Sequence, residues 1–241
     1  MYEPRTYRNW VKGKDLVSFN VIVEETDLYI RAEKNLKSKA LRLVTKYRNA
    51  LEGYIERYPS FITSLEPLTI GDDAPRIVKK MAESAQKAGV GPMAAIAGAI
   101  AEFVGTELLA FSPEVIVENG GDIFLKSQRK RLVSIYAGKS PLTGKIGLEI
   151  EPEETPLGIC TSSGTVGHSL SFGSADATVV LSPSATLADA AATAIGNVVK
   201  RSDDIPIGIE LAKNIAGVKG VLIITDDKVG MWGEVEIHQI S

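Results

Sequence analysis

The residues Cys160-Thr161-Ser162-Ser163-Gly164-Thr165-Val166-Gly167-His168-Ser169 gather hydroxyls, two glycines, the single cysteine and one of two histidines into ten positions. Small residues let backbone amides approach a ligand closely, and amides with hydroxyls suit phosphate oxygens. The competing reading is a polar loop whose hydroxyls satisfy their own backbone. The density of both features favours a ligand. Cys160 precedes a run of hydrogen-bond donors and lies eight residues before His168. It reads as an exposed, neutral-pH thiolate able to carry sulfur, or as a small buried hydrophobe following Leu157-Gly158-Ile159.

A second segment, Asn119-Gly120-Gly121-Asp122, stands between the apolar runs Val115-Ile116-Val117 and Ile123-Phe124-Leu125. Asn-Gly between such runs is a hairpin signal, and paired glycines would also let a ligand lie against the backbone. In a third, Ala188 to Ala194, Asp189 and Thr193 are four apart and share a helix face. A carboxylate and a hydroxyl on an alanine-coated helix suit a hard cation such as Mg²⁺ bridging to a phosphate. Thr186 with Asp189 also fits a capping box, and on these residues alone the capping reading takes precedence.

Other signals fail. Gly138-Lys139-Ser140 imitates the end of a phosphate-binding loop, but Val133 stands where the first glycine belongs and Pro141 follows. There is no G-x-G-x-x-G after a strand, no H-E-x-x-H and no G-x-S-x-G. Two histidines and one cysteine exclude a Cys/His zinc site and an internal disulfide. The net charge of -3 gives no electrostatic reason to expect nucleic acid or an anionic membrane surface. The N-terminus lacks the apolar run of a secretory signal, and Glu102 and Glu107 interrupt the apolar stretch Gly89 to Phe111. A cytoplasmic protein with no membrane partner is expected, with that stretch as a buried helix compatible with a homodimer.

The elements that must position these residues follow from periodicity. Alternation over 15–32 predicts a hairpin, and apolar spacing predicts helices over 35–58, 74–88 and onward from Pro92. Strands are expected at 115–117, 123–125, 132–137 and 145–150, the last two continuing the same sheet, with Arg129-Lys130-Arg131 in a solvated turn. A buried strand at 177–181, helices at 187–199 and 207–215, and strands at 221–224 and 234–240 complete the chain. Grouped helices and hairpins argue for an α+β domain over a doubly wound sheet.

The three chemical segments, in this order and spacing, resemble the ApbE-like superfamily, which includes the FAD:protein FMN transferases. The matching pieces are Ala94 to Glu102, Gly120-Gly121-Asp122-Ile123, Thr161-Ser162-Ser163-Gly164 and Ala188 to Ala194. The whole chain looks like a shorter, signal-less branch in which C-T-S-S-G-T-V-G-H-S is itself a hallmark. The resemblance implies a single domain over residues 1–241 with the ApbE-like α+β fold, related to the T-fold, its mixed or antiparallel sheet packed against helices. It implies Mg²⁺ at Asp189 and Thr193. It also implies FAD or a related phosphate-containing ligand beside Asn119, Gly120, Gly121, Asp122, Thr161, Ser162, Ser163 and Gly164. His168 would be a catalytic proton carrier. The transferases carry a lysine-glycine pair where this chain has Ala97-Gly98, and D-P-x-T-G where it has Ser171-Phe172-Gly173. Those departures count against FMN transfer more than against ligand binding. Two alternatives accompany this reading: a sulfur-handling role through Cys160, which the branch's link to sulfide assimilation and homocysteine formation suggests, and a non-catalytic flavin- or nucleotide-binding regulator.

Overall fold

The computed structural model describes residues 15–164 and 172–240. The chain opens with a hairpin, β1 (Val17–Val23) and β2 (Thr26–Ala32). The helix α1 (Lys37–Arg57) follows, with Ala40, Val44, Tyr47, Leu51 and Tyr54 buried at three- and four-residue intervals, the spacing of a single face. A short α2 (Ser60–Thr63) leads to α3 (Arg76–Ala88). Gly89 ends α3 at φ 71°, a left-handed C-terminal position that glycine adopts without strain. Pro92–Ala95 makes a 3₁₀ turn into α4 (Ile96–Leu108). Then come β3 (Val115–Asn119), β4 (Asp122–Lys126), β5 (Arg131–Ser134), β6 (Ile146–Ile150), β7 (Leu157–Ser162) and β8 (Ala177–Ser182). The helices α5 (Ala185–Val198) and α6 (Ile205–Asn214) precede β9 (Gly220–Thr225), β10 (Lys228–Gly233) and β11 (Ile237–Gln239).

Among the described residues, β1-β2-β3-β4-β7-β8-β9-β10 form one sheet of eight strands, each paired antiparallel with its neighbours. The helices cover one face, where Phe19, Ile30, Val117, Phe124, Cys160, Val180 and Ile223 meet side chains such as Val44, Met81, Val104 and Ile195. A smaller sheet, β11-β6-β5, covers part of the other face. Its Leu148 and Ile150 pack with Leu125, Ile159, Val179, Leu181, Leu222 and Ile224. Strands β8 and β9 are therefore buried on both faces, which accounts for their unbroken apolar sequence. The α+β class with an antiparallel sheet against helices is as expected.

Four local expectations need correction. β5 and β6 do not continue the main sheet, because Leu148 and Ile150 face it across an apolar layer rather than pair with its edge. β7 carries a segment read as loop: its hydroxyls lie at the end of a strand whose first four residues are buried. The strand expected over 234–240 is β11 alone, because β10 pairs with β9 directly after the Asp226-Asp227 turn and Gly233, at φ 85°, breaks the run. Arg131 is not in a solvated turn. It bonds Glu114 at 2.8 Å and Asp15 at 2.6 Å, with 12% of its side chain exposed.

Among the described residues no single helix is long and apolar enough to cross a membrane. The apolar pair Arg76–Ala88 and Pro92–Leu108 is bent by 105°, and its Ile77, Met81, Ile100 and Val104 lie in the helix-side core.

Candidate functional site

The turn between β3 and β4 is a two-residue hairpin. Gly120 and Gly121 both take positive φ, 69° and 104°, as a primed turn requires. Its geometry also brings chemistry together. Asn119 pairs directly with Asp122 on the helix-facing side, and the Asn119 side chain donates to the Ala97 carbonyl at 3.1 Å. Gly121 donates its N–H to Glu118 at 2.9 Å. A side chain at Gly121 would reach to 3.9 Å from the Thr161 carbonyl, so the turn lies against the end of β7. Thr161 donates its N–H to an Asp122 carboxyl oxygen at 3.3 Å. Ser162 and Ser163 follow, half-buried, with Gly164 exposed.

Helix α5 lies along β7. A Cβ on Gly158 would come within 2.3 Å of the Ala185 Cα, so strand and helix touch backbone to backbone. A turn further, Asp189 reaches across to α4. Its Oδ2 accepts the Gly98 N–H at 2.8 Å, and the Ala97 N–H also bonds it. These are amides of the α4 opening turn, which no side chain of its own N-terminus caps. Asp189 is thus a helix cap, but of α4, and the capping box expected with Thr186 does not form. The N-cap of α5 is Ser184, whose side chain accepts the Leu187 N–H. Thr193 lies four residues beyond Asp189, about 6 Å along the axis, and is half-buried.

Asp122 and Asp189 are buried together. Burial, then the nearby Asp189 charge, drives the Asp122 carboxyl well above its usual range, against the lowering effect of the adjacent Cys160 thiol and the Thr161 N–H. Burial lifts Asp189 from 3.8 to about 7, opposed by the two α4 amides. Among the described residues, the leading causes that set these two values include no lysine, arginine or histidine. Two enclosed carboxyls make an oxygen-donor set of the kind a hard divalent cation occupies.

Cys160 is not the exposed thiol read from its neighbours. It is fully buried, donates to the Ala185 carbonyl at 3.3 Å and contacts the Asp122 carboxyl. Burial first, then the two acids, push its pKa well up, away from a thiolate at neutral pH. Its alternation along β7 turns it inward to the helices while the hydroxyls continue beyond it. His168 lies outside the described residues.

A family model described as AbpE bacteria matches residues 8–217. The chain belongs to this ApbE-like family. It is 42% identical over 221 residues to UPF0280 protein MJ1526 of Methanocaldococcus jannaschii, covering 89% of this chain and 90% of that one. It is 40% identical over 216 residues to a UPF0280 protein of Methanosarcina acetivorans, covering 88% and 85%. Among solved structures, a mutant of the flavin transferase ApbE from Vibrio cholerae superimposes with a TM-score of 0.55 at 16% identity, over 90% of this chain and 97% of that one. An ApbE protein of Thermotoga maritima gives 0.55 at 12% identity, over 89% and 96%. These likenesses establish the ApbE fold.

In this ApbE-like chain the Gly120-Gly121 turn, Asp122, Cys160, Thr161 and Asp189 come together beside the end of β7, with Thr193 one turn further along α5. The motif reading missed the opening turn of α4, whose amides hold Asp189. Gly98 was the available signal. A Cβ there would sit 2.3 Å from the Ala185 carbonyl oxygen and 2.8 Å from the Asp189 Cβ, so α4 and α5 meet at that point. Gly98→Ala should therefore part the helices and lower stability by about 1–3 kcal/mol. A thermal melt within error of wild type would show that the contact yields freely.

The buried acids also set a pH dependence. In the folded state Asp189 holds its proton more tightly than in the unfolded chain, so its contribution is complete below about 3.8 and is lost as pH rises through about 7. Glu114 and Asp15 act oppositely. Hydrogen bonds and charge from Arg131 outweigh burial and lower both, so their contribution is lost as pH falls below the ordinary carboxylate range. Metal-free protein should be most stable near pH 5 and weaken towards pH 8. Asp189→Asn should flatten that upper limb in denaturant titrations with chelator present, and an unchanged slope would assign it elsewhere.

Proposed function

We propose that the protein binds FAD or a related phosphate-containing dinucleotide together with Mg²⁺, at the end of β7. The observation carrying this reading is the enclosed pair of carboxyls, Asp122 and Asp189, each raised by burial and the first also by the second. Asp189 and Thr193 would hold the cation, and Asp122 would be the acid facing them. A bound divalent cation would neutralise a pyrophosphate and draw its oxygens to this end of the sheet. The chain's own groups do the rest. The Gly120-Gly121 turn leaves the backbone bare for close approach, and the Thr161, Ser162 and Ser163 hydroxyls and amides offer donors to phosphate oxygens. Similarity to the flavin transferases favours a flavin among dinucleotides.

FMN transfer to a protein is the narrower possibility, and the residues weigh against it. Ala97 supplies only its backbone where the transferases have a lysine, and the segment following His168 lacks D-P-x-T-G. Protein purified in Mg²⁺ should release a phosphate-containing dinucleotide on denaturation, read by mass spectrometry, or take up FAD when supplied. Incubation with FAD, Mg²⁺ and a flavin-acceptor peptide should give little or no flavinylated peptide. Efficient transfer would show that Ala97 and the lost segment are dispensable, and no uptake of FAD at all would remove the flavin reading.

A further inference from the structure

The helices that frame the site each begin under an acid supplied by the other. Asp189 of α5 accepts the Gly98 N–H of α4. In return Glu102 of α4 accepts three hydrogen bonds on one oxygen, each of 2.8 Å: from the Thr186 N–H, the Thr186 hydroxyl and the Ser184 hydroxyl. Ser184 in turn accepts the Leu187 N–H at 3.3 Å, so the opening turn of α5 is held by Glu102 directly and through Ser184. Each acid lies four residues beyond the crossing residue of its own helix: Glu102 after Gly98 on α4, Asp189 after Ala185 on α5. At the crossing, Gly98 brings the backbones too close for a Cβ. The pairing is therefore a clamp with one glycine hinge point and an acid on either side.

We infer that Glu102 is a positioning residue for the cation site, fixing the rotation and height of α5 so that Asp189 and Thr193 present their oxygens together. This rests on the cation reading of Asp189. A rigid helix passes displacement of its first turn on to residues one and two turns later. Asp189 follows the Glu102-bound Thr186 by three residues and Thr193 by seven, so both move with it. Glu102 itself touches neither cation nor ligand. Its carboxylate is committed to Ser184 and Thr186, and its effect reaches the site only through α5. Groups that hold metal ligands in place commonly alter metal affinity by about 10- to 100-fold when removed, and Glu102 belongs with them.

The test is calorimetric titration of the full-length protein with Mg²⁺ alone. Glu102→Ala should weaken binding about tenfold or more. Glu102→Gln, which keeps an acceptor oxygen for the Thr186 N–H, should recover most of that loss. Leu51→Ala removes a side chain buried in the α1 face of the core; it should lower the melting temperature without changing Mg²⁺ affinity. Wild-type affinity in Glu102→Ala, or equal weakening in Leu51→Ala, overturns the positioning role. In either case Asp189→Ala still abolishes binding if the cation reading is sound. Absence of Mg²⁺ binding by the wild-type protein overturns both. Should Glu102→Ala not fold, Thr186→Val removes one of the three bonds and keeps the side-chain shape. A fewfold loss of affinity then supports the clamp, and unchanged affinity overturns it.

Discussion

Asp189→Asn should abolish Mg²⁺-dependent dinucleotide binding while the protein remains folded. Asparagine keeps an oxygen that can accept the Gly98 N–H, so the opening turn of α4 retains its cap. What it loses is the negative charge, and a hard cation held by oxygen donors depends on that charge. Removing a carboxylate that burial already disfavours should leave metal-free stability at neutral pH unchanged or slightly raised. Asp189→Ala differs in a way that separates the two roles of the residue. It removes charge and cap together, so binding is lost and stability falls by about 1 kcal/mol, the usual worth of a helix cap. Calorimetry and thermal melts on the two variants check both parts. Ligand binding equal to wild type in Asp189→Asn, with a lowered melting temperature only in Asp189→Ala, would leave the residue as a cap of α4 and nothing more.

Cys160 should resist alkylation at neutral pH until the protein unfolds. The thiol is enclosed between β7 and α5, donates to Ala185 and faces two carboxyls whose charge opposes a thiolate. Reaction then requires global opening. For a domain of ordinary stability, 5 kcal/mol or more, labelling should be about a thousandfold slower or worse than for an exposed cysteine. In denaturant the rate should rise to that of a free thiol. Cys160→Ala should keep Mg²⁺-dependent binding, since the thiol fills space rather than reacting. Rapid labelling of folded protein by iodoacetamide, with the melting temperature unmoved, would reopen a sulfur-carrying role.

The fold was largely legible from periodicity. α1, α3, α4 and the β1–β2 and β3–β4 hairpins repeat their apolar residues at helical or strand spacing, and Gly89, Pro92 and Asn119-Gly120 mark their ends. What periodicity could not show was partnership between elements distant in sequence. β5 and β6 look like any half-buried strands, and only the apolar layer they cover assigns them to a second sheet. β7 was hidden because its hydroxyls resemble a loop, although Gly158 and the alternation around Cys160 belong to a strand packed under a helix.

The site divides in the same way. Asn119 to Asp122, Thr161 to Gly164, and Asp189 with Thr193 were visible as residue types, and the fold brings Asp122, Thr161 and Asp189 together beside the end of β7. The helix that Asp189 caps was misassigned, because a local capping pattern competes with a tertiary one. Ser184 starts α5 two residues before Thr186, and Glu102 from another helix does the capping that Asp189 was expected to do. A single sequence carries no mark of a cap delivered from 82 or 84 residues away.

Titrating wild-type protein with FAD by calorimetry, first in Mg²⁺ and then with the metal chelated, tests the central claim most directly. Saturable binding in Mg²⁺ that is lost or weakened at least about tenfold on chelation is the predicted result. FAD binding of equal strength with and without the metal, or none in either condition, would contradict the assignment of the Asp122 and Asp189 pair to a cation that holds a phosphate ligand.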